Sequence, residues 1–412
     1  MKKTYTEITK CRISDSENLT TVLSLGNMDL TGVFPKSKDE KVTNGPVDLV
    51  WCPDSGLLQM KQTYNLEEMY GDNYGYRSGL NSSMVSHLKQ KIKTLENIVK
   101  LNDSDLVIDI GSNDATSLKS YKGNHRKVGI DPTGSKFKEF YTDDITLIAD
   151  FFTADKFRKL FPNEKAKIIT SIAMFYDLES PLDFVSDIAS CLDDEGIWHF
   201  EQSYMPSMLK TNSYDTICHE HLEFYSLKVV KKMLEKSGLR IMDVQMNSIN
   251  GGSFAVTACK EKASHSSNEP IINWLLNQED EMGLDTPKPY NEFAERAFKH
   301  KKNLVDLIDA LVKDGKKVFG YGASTKGNVL LQFCNLTSNQ IPYIAEVNEE
   351  KFGSYTPGSH IPIISENEAK AMSPDYFLVL PWHFKNNILA REKEFLANGG
   401  KFIFPLPEIE II

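Results

Sequence analysis

The stretch DLVIDIGSNDATSLKSYKGNHRKVGIDPTG, residues 105–134, decides the fold of this chain. Residues 106–110 form a short apolar run of the kind that makes a buried strand. Gly111 and three small polar residues follow at once, and a helix can begin shortly after them. A second strand over residues 127–130 then ends on Asp131. This order of strand, tight turn, helix, strand and acid predicts the first unit of a parallel α/β sheet.

The turn after the first strand indicates a ligand that approaches the backbone closely. Ser112 and Asn113 follow Gly111, and such small residues leave room for a ligand. Asp131 lies about 20 residues further on, where a carboxylate can accept both hydroxyls of a ribose. The segment contains no G-x-G-x-x-G, so it serves a dinucleotide pyrophosphate poorly. A ligand without phosphates, such as S-adenosylmethionine, fits better. The alternative is an ordinary strand-to-helix turn that binds nothing.

The composition excludes several classes of protein. The 412 residues suffice for two or three domains, and 41% hydrophobic with 25% charged residues is typical of a soluble globular protein. The net charge of -10 opposes binding to nucleic acid or to an anionic membrane. No apolar run approaches the ~20 residues that span a bilayer, and the N-terminus lacks the apolar core of a secretion signal. The six scattered cysteines suit a reducing cytoplasm, where we expect the protein.

Residues 1–68 predict a small β-rich lobe of zinc-knuckle type. Two C-x2-S pairs frame it, Cys11 with Ser14 and Cys52 with Ser55. Structural zinc normally takes four Cys or His ligands, and two thiolates do not complete that set. We therefore expect no metal in the lobe. The alternative is two small buried cysteines in an ordinary β lobe.

A glycine- and tyrosine-rich segment, MYGDNYGYRSGLNSSM at residues 69–84, leads into the central region. Tyr70, Tyr74 and Tyr76 lie close together in it. A loop with so many hydroxyls, placed before a ligand-binding domain, can cover a polar substrate. The alternative is a surface connector whose tyrosines pack on the following helix.

The central region, residues 69–265, alternates predicted strands and helices, which indicates a parallel sheet with helices on both faces. Ligands of such sheets bind beyond the carboxyl ends of the strands. After the third predicted strand, Asp150 and Phe151 offer an acid and an aromatic ring that can hold an adenine. Met174 follows the next strand. We expect these side chains beside Gly111 at one edge of the sheet.

The segment YDTICHEHLEFYS, residues 214–226, carries the densest chemistry. His219 and His221 flank Glu220 there. The pattern is not H-E-x-x-H, and positions i and i+2 of a helix point to different faces, so a helix-borne zinc site is excluded. In an extended or turn conformation both rings can face one side. A neutral imidazole is a suitable general base near neutral pH, so we expect a catalytic role for this cluster.

Residues 266–412 predict a linker helix and a second nucleotide-type domain. An apolar strand enters the loop GYGASTKGN, residues 320–328, and the next strand ends on Glu346. Backbone amides of such a loop, with Lys326 beside them, can hold a phosphate or a ribose. The alternative is a small doubly wound domain that serves only for packing.

Taken together, these motifs resemble the sugar C-methyltransferase family of the tetronitrose and novobiose pathway type. The strings that carry the likeness are LGNMDLTGVFPKS, WCPDSGLLQM, YGYRSG, DIGSNDAT, GIDP, YDTICHEHLEFYSL, NGGSFAV, GYGASTKGN and YTPGSHIPI. Their order covers nearly the whole chain. The resemblance implies an α/β protein with an N-terminal zinc-type lobe, a central class I methyltransferase domain and a C-terminal Rossmann-like domain.

The resemblance also implies roles for individual residues. Together with the strand ends described above, it gives a binding site for S-adenosylmethionine at Gly111, Ser112, Asn113, Asp131, Asp150, Phe151 and Met174. It implies His221 as the base, Glu220 as its orienting or assisting carboxylate, and Tyr76 as a side chain that reaches in from the tyrosine-rich segment. His219 is a further catalytic candidate.

In this family the C-terminal domain helps to hold a nucleotide-linked sugar. The candidate substrate-binding residues are therefore Gly322, Lys326, Tyr355 and His360. Tyr74 of the tyrosine-rich segment is a further candidate. The chain departs from the family pattern at two places. Some members have tyrosine where this chain has Cys218, and some have four cysteines in the lobe, where this chain has Ser14 and Ser55.

The reaction implied is methylation of carbon 3, next to the ketone of a nucleotide-linked 4-keto-6-deoxy sugar. His221 would remove the C-3 proton, and a donor such as His219 or Tyr76 would stabilise the enediolate. One alternative is O-methylation of a sugar or small molecule, which uses the same fold and also needs a base. Another is a non-catalytic nucleotide-sugar-binding protein. We expect a monomer without nucleic-acid or membrane partners.

Overall fold

A computed structural model of the chain describes residues 4–69 and 76–412. Tyr70 and Tyr74, two of the three tyrosines singled out above, lie outside the described residues. The strands form a two-stranded ribbon and sheets of four, seven and six strands. In the described part of the chain, no helix is both long and apolar enough to cross a lipid bilayer.

The N-terminal lobe consists of short strands and one short helix. These are β1 Tyr5–Glu7, β2 Thr20–Asp29, β3 Asn44–Trp51, β4 Leu58–Met60, β5 Gln62–Tyr64 and α1 Leu66–Met69. Strands β2, β3 and β4 form an antiparallel sheet. Its fourth strand comes from the H-E-H segment, because Glu223 pairs with Gln59 and Phe224 with Leu58. The lobe is thus joined by a β-ladder to the candidate catalytic segment.

The central domain contains seven strands in one sheet. Its elements are α2 Ser82–Ile98, β6 Leu106–Ile110, β7 Arg126–Ile130, β8 Ile145–Ile148, α3 Ala154–Leu160, β9 Ala166–Ile172, α4 Pro181–Cys191, β10 Leu192–Ser203, α5 Met205–Lys210, β11 Glu223–Phe224, α6 Leu227–Lys236, β12 Leu239–Asn247 and β13 Ser253–Lys260. The sheet order is β12-β13-β10-β9-β6-β7-β8, and only β13 runs antiparallel to its neighbours. β11 belongs to the lobe sheet instead. The predicted parallel α/β sheet is confirmed.

The segment after β6 differs from the sequence prediction. We expected an α-helix there, but the chain forms only the short 3-10 helix Leu118–Ser120. Asn113 and Ala115 adopt positive φ angles of 50° and 59°. Because that left-handed backbone is incompatible with a right-handed helix, the chain cannot begin one at the end of the strand.

The C-terminal domain is a second, smaller doubly wound sheet. Its elements are α7 Glu269–Glu281, α8 Lys288–Lys313, β14 Val318–Tyr321, α9 Thr325–Phe333, β15 Ile344–Glu346, β16 Ile363–Ser365, α10 Glu366–Ala371, β17 Tyr376–Val379, α11 Lys385–Arg391, α12 Lys393–Ala397, β18 Lys401–Phe404 and β19 Glu410–Ile411. The sheet order is β16-β15-β14-β17-β18-β19, parallel except for β19. Other short 3-10 helices are Ser78–Leu80, Lys138–Phe140, Tyr214–Thr216, Ile249–Gly251, Glu349–Lys351 and Trp382–Phe384.

The apolar cores show how the domains are joined. One core runs from the lobe sheet through Tyr214, Ile217 and Leu222 to the C-terminal sheet. A second core lies under the central sheet and takes in Cys11 and Cys52 of the lobe. Since burial of apolar surface is the main stabilising contribution to a fold, the H-E-H segment is held between all three domains.

Candidate active site

The turn after β6 is packed against the chain that follows β9. Gly111 has a φ angle of 74°, and a Cβ at this position would lie 3.1 Å from Cγ of Met174. A larger residue would be strained and would collide with that side chain. Gly111 and Met174 therefore lie side by side.

Asp131 closes the turn through its carboxylate. Oδ2 accepts the backbone N–H of Asn113 at 2.8 Å, and Oδ1 accepts the N–H and hydroxyl of Thr133 at 2.6 and 2.5 Å. An ionised carboxylate has about four acceptor positions. Three of these are used, so one position on Oδ2 remains. The expectation that Asp131 accepts both hydroxyls of a ribose therefore does not match this arrangement, which leaves room for one.

Asn113 and Asp114 hold the end of the tyrosine-rich segment on the turn. Asn113 accepts the N–H of Ser78 at 2.9 Å and donates to the carbonyl of Tyr76 at 3.0 Å. Asp114 accepts the N–H of Gly79 at 2.9 Å. The Tyr76 side chain itself is half exposed. The Asn113 amide, expected to contact a cofactor, is thus engaged with the protein backbone, and Asp114 is a residue that the sequence reasoning missed.

The remaining cofactor candidates divide into two groups. The Ser112 hydroxyl lies 2.7 Å from the Tyr141 hydroxyl and is turned toward that ring. Asp150 pairs with Lys156 at 2.7 Å, and half of its side chain is exposed. Phe151 is also exposed. Asp150 and Phe151 are therefore accessible to a ligand beyond β8, whereas the Ser112 hydroxyl is engaged with Tyr141.

His221 is held in one tautomer. Its Nδ1 lies 2.7 Å from the carbonyl oxygen of Thr216, which can only accept, so Nδ1 donates and Nε2 keeps its lone pair. The ring packs edge-on against Tyr176, with centroids 4.4 Å apart. Burial and the nearby charge of Lys326 lower the pKa of His221 to about 4. The imidazole is therefore neutral at pH 7, as a general base must be.

The chain after β9 links the His221 imidazole to the turn after β6, which is the predicted cofactor site. Met174 contacts Gly111, and Tyr176, two residues later, contacts His221. The carbonyl of Tyr176 also accepts the N–H groups of Leu222 and Glu223, next to His221. A single short segment thus borders both the predicted cofactor turn and the predicted base. The sequence could have indicated Tyr176 through its position just after a predicted strand, in the string AMFYDLESP.

Glu220 does not orient His221, contrary to the expectation, because the Thr216 carbonyl occupies Nδ1. The Glu220 carboxylate instead faces the N-terminal lobe, where a Cβ on Gly32 would lie 2.5 Å from Oε1. Burial raises the pKa of Glu220. This carboxyl group therefore lies on the side of the site that faces the lobe.

His219 packs against the lobe. Its ring is fully buried and meets Tyr64 edge-on, with centroids 4.7 Å apart. Burial lowers the pKa of His219 to about 4. The two imidazoles of the cluster therefore pack against tyrosines of different domains, His219 against the lobe and His221 against the central domain. Because its ring is fully buried, we assign His219 to packing rather than to contact with a substrate.

The C-terminal candidates do not lie in one place. Lys326 donates to the carbonyl of Asn250 at 2.8 Å, at the boundary with the central domain. Gly322 has a φ angle of 80°, and a Cβ there would lie 2.8 Å from the Pro381 ring. Tyr355 instead donates its backbone N–H to Pro35 of the lobe at 2.8 Å.

His360, with a φ of 51°, belongs to the same loop as Tyr355.

Glu346, the last residue of β15, resembles Asp131 in its role. Glu346 accepts the N–H of Ala323 at 2.6 Å and those of Val347 and Asn348 at 2.7 and 2.9 Å. Its carboxylate thus stabilises the glycine loop internally.

Three family models and one curated relative match this chain. The family model "Methyltransferase domain" matches residues 84–244, "C-methyltransferase C-terminal domain" matches 248–407, and "Putative zinc binding domain" matches 11–70. The chain is 31% identical over 409 residues to the C-methyltransferase NovU of Streptomyces niveus, covering 98% of this chain and 97% of that protein. The chain belongs to this C-methyltransferase family. It is an S-adenosylmethionine-dependent methyltransferase.

Solved methyltransferases are similar at a much lower level. The mitomycin 7-O-methyltransferase MmcR is 15% identical with a TM-score of 0.35, over 44% of this chain and 55% of that one. The plantazolicin methyltransferase BamL, solved with SAH, is 15% identical with a TM-score of 0.36, over 44% of this chain and 86% of that one.

The lobe residues of this C-methyltransferase do not fit the zinc that the matched lobe family implies. Cys11 Sγ lies 3.2 Å from Ser55 Oγ, and Ser14 Oγ lies 3.7 Å from Cys52 Sγ. The four side chains meet as in a knuckle, but only two are thiols. Within residues 4–69 and 76–412, no group of three or more His, Cys, Asp or Glu is arranged to hold a metal ion.

Proposed function

We propose that this methyltransferase transfers a methyl group to carbon 3 of a nucleotide-linked 4-keto-6-deoxy sugar. The observation that carries the proposal is the tautomer of His221, whose Nδ1–H donates to the Thr216 carbonyl at 2.7 Å. Its Nε2 is therefore free to take a proton. Removal of hydrogen from carbon requires such a base, and the similarity to a C-methyltransferase supports carbon as the kind of atom that is methylated.

The substrate ketone makes the neighbouring C–H bond acidic enough for an imidazole to act on. His221 Nε2 takes the C-3 proton while the Thr216 carbonyl stabilises the imidazolium that forms. The Tyr176 ring, 4.4 Å from the imidazole, fixes its plane. S-adenosylmethionine supplies an electrophilic methyl carbon, and transfer to C-3 depends mainly on positioning.

The residues that would hold the methyl donor surround the turn after β6. Gly111 and Met174 offer a close backbone approach beside a thioether. Asp131 has one acceptor position left for a ribose hydroxyl. Asp150 and Phe151, both accessible, suit the adenine. These assignments follow from accessibility and chemistry at one edge of the sheet.

The nucleotide-linked sugar would enter between the central and C-terminal domains. We infer the domains that the sequence predicts. Residues 1–68 form the lobe, residues 69–265 bind the methyl donor, and residues 266–412 bind the nucleotide-linked sugar. Gly322, Tyr355 and His360 remain candidates for the nucleotide. Tyr76, anchored at the turn through its carbonyl, and Tyr74 remain candidates for the sugar.

We also infer a monomeric cytoplasmic enzyme. All six cysteines are buried and free, which suits a reducing compartment.

Product analysis tests the proposed function. The purified protein would be incubated with S-adenosylmethionine carrying a ¹³C methyl and with thymidine-diphospho-4-keto-6-deoxyglucose. We expect an NMR methyl signal on a fully substituted carbon together with loss of the H-3 signal. A methoxy signal would instead assign O-methylation. Binding without turnover across thymidine, uridine and guanosine diphosphate keto sugars would indicate a binding protein.

A further inference from the structure

Lys326 lies where the three domains meet. It is the second residue of α9, and its Nζ donates to the carbonyl of Asn250 at 2.8 Å. Its neighbour Thr325 and the Glu220 carboxylate both border Gly32 of the lobe, with Oγ1 3.8 Å and Oε1 2.5 Å from a Cβ placed there. The start of α9 thus lies against the H-E-H segment rather than facing outward.

The Lys326 ammonium has hydrogen-bonding capacity to spare. An ammonium has three N–H donors, and among the described residues the Asn250 carbonyl is the one acceptor within hydrogen-bond distance. Lys326 is partly buried, and a cation withdrawn from water is costly unless other groups satisfy its donors and charge. Asp215 is the carboxyl group whose charge bears on it, and one oxygen of that group accepts the Trp382 indole N–H at 2.7 Å. Two ammonium N–H donors are therefore left for a ligand.

We propose that Lys326 is the oxyanion-stabilising residue of this site, donating to the ketone oxygen of the substrate as negative charge develops on it. This inference rests on the proposed function and deepens it. When His221 takes the C-3 proton, the electron pair of the C–H bond forms an enolate with the charge on the ketone oxygen. That pair then forms the new bond to the methyl carbon, the ketone re-forms, and the pair of the broken C–S bond stays on sulfur. The proton leaves His221 for water.

Two other groups of the H-E-H segment are less suited as donors. His219 is fully buried against Tyr64. Cys218 is a buried thiol, and burial raises its pKa well above its ordinary value, so it carries no charge. Lys326 instead offers N–H donors from the C-terminal domain.

Lys326 also acts on the base. Its charge, together with burial, lowers the pKa of His221 and keeps the imidazole neutral. The titratable groups around this space are Tyr176, Asp177, Asp215, Cys218, Glu220 and His383. Removal of the ammonium should therefore raise the pKa of His221, so that the base becomes protonated at a higher pH.

The test compares Lys326→Met with a matched control, Lys351→Met. Lys351 is another lysine of the C-terminal domain, and burial lowers the pKa of both lysines. Lys351 donates to the Ala323 carbonyl of the glycine loop at 2.7 Å. Exchange of the substrate H-3 with D2O would be followed by NMR, with thymidine-diphospho-4-keto-6-deoxyglucose and S-adenosylhomocysteine present. Exchange of H-3 by the wild type separately tests the first step of the proposed function, removal of the C-3 proton. Thermal melting and S-adenosylhomocysteine affinity show that each variant is folded.

We expect Lys326→Met to slow saturated exchange about 10²–10³-fold, the usual loss for one oxyanion donor. The acid limb of its pH profile should move up by about 1 pH unit, as expected when a nearby like charge is removed from an imidazolium. Lys326→Arg should recover part of the rate, and Lys351→Met should exchange near the wild-type rate. A folded Lys326→Met enzyme with unchanged kcat and a raised KM would overturn the proposal, because it would make Lys326 a binding residue for the nucleotide phosphates.

Discussion

The Nδ1 atom of His221 lies 2.7 Å from the carbonyl oxygen of Thr216, five residues earlier in the chain. Since a carbonyl cannot donate, the proton stays on Nδ1 and the Nε2 lone pair is directed away from the backbone. The tautomer that a general base needs is thus maintained by the path of the main chain, without a carboxylate partner. This relationship is the basis of the predictions on catalysis.

Replacement of His221 by asparagine should remove methyl transfer but not donor binding. We expect kcat to fall about 10²–10⁴-fold, the usual contribution of a general base. Calorimetry should give an unchanged affinity for S-adenosylhomocysteine, because no hydrogen bond of His221 reaches the Gly111 turn. His219→Asn is the matched control, since it should lower the melting temperature yet retain most of kcat. Equal losses of kcat in two folded variants would refute the different roles given to the two histidines.

Asp114 should hold residues 77–79 on the turn after β6. Its carboxylate accepts the N–H of Gly79 at 2.9 Å and lies 3.7 Å from Arg77. In Asp114→Ala that backbone is released, so trypsin should cleave after Arg77 faster and S-adenosylhomocysteine should bind about tenfold more weakly, the equivalent of about 1.4 kcal/mol. Asp114→Asn keeps an acceptor and should behave nearly as wild type. Unchanged cleavage and affinity in Asp114→Ala would rule out this role.

The lobe should be metal-free as it stands and should acquire zinc when its cysteines are restored. Cys11 and Cys52 already meet Ser55 and Ser14 at 3.2 and 3.7 Å. The double variant Ser14→Cys/Ser55→Cys supplies the four thiolates that structural zinc takes. Elemental analysis should find one equivalent of zinc in that variant and none in the wild type or in Ser14→Ala/Ser55→Ala. Stoichiometric zinc in the wild type would contradict the loss of the site.

Asp109 should make stability depend on pH in an unusual direction. It is buried in β6, where Thr170 donates to it at 2.6 Å, and burial raises its pKa to about 7. Between its unfolded value of 3.8 and 7, the folded state binds more protons than the unfolded state, so the free energy of unfolding falls as pH rises. Asparagine has no such dependence. The gain from Asp109→Asn should therefore be about 2–3 kcal/mol larger at pH 8 than at pH 5.

Urea denaturation of Asp109→Asn and wild type at the two pH values measures this difference. A gain of equal size at both would mean that the Asp109 carboxyl titrates near its ordinary pKa in the folded protein.

Much of the fold could be predicted because its signals are local. The strand at 106–110 was predicted with the bounds that the structure shows. The helix expected after Gly111 was wrong, because Asn113 and Ala115 adopt left-handed φ angles. Asn113 is bonded there to Asp131 and to the carbonyl of Tyr76 in a distant segment. No local pattern reports such contacts.

The site was predicted less completely than the fold, for the same reason. The H-E-H cluster was found from its composition, but the directions of its two rings depend on Tyr64 and Tyr176, which come from separate domains. Thr216 was overlooked because its contribution is a carbonyl group, which every residue has. The hydrogen bond from Lys326 to the Asn250 carbonyl likewise arises from domain packing and not from sequence spacing.

The central claim, that His221 removes hydrogen from carbon beside the methyl-donor turn, is tested most directly by deuterium uptake. Wild type and His221→Asn would each be incubated in D2O with thymidine-diphospho-4-keto-6-deoxyglucose and S-adenosylhomocysteine, and the H-3 signal would be followed by NMR. We predict that the wild type exchanges H-3 for deuterium and that the folded His221→Asn variant does not. Exchange at equal rates in both, or retention of H-3 by a wild type that still forms methylated sugar, would contradict it.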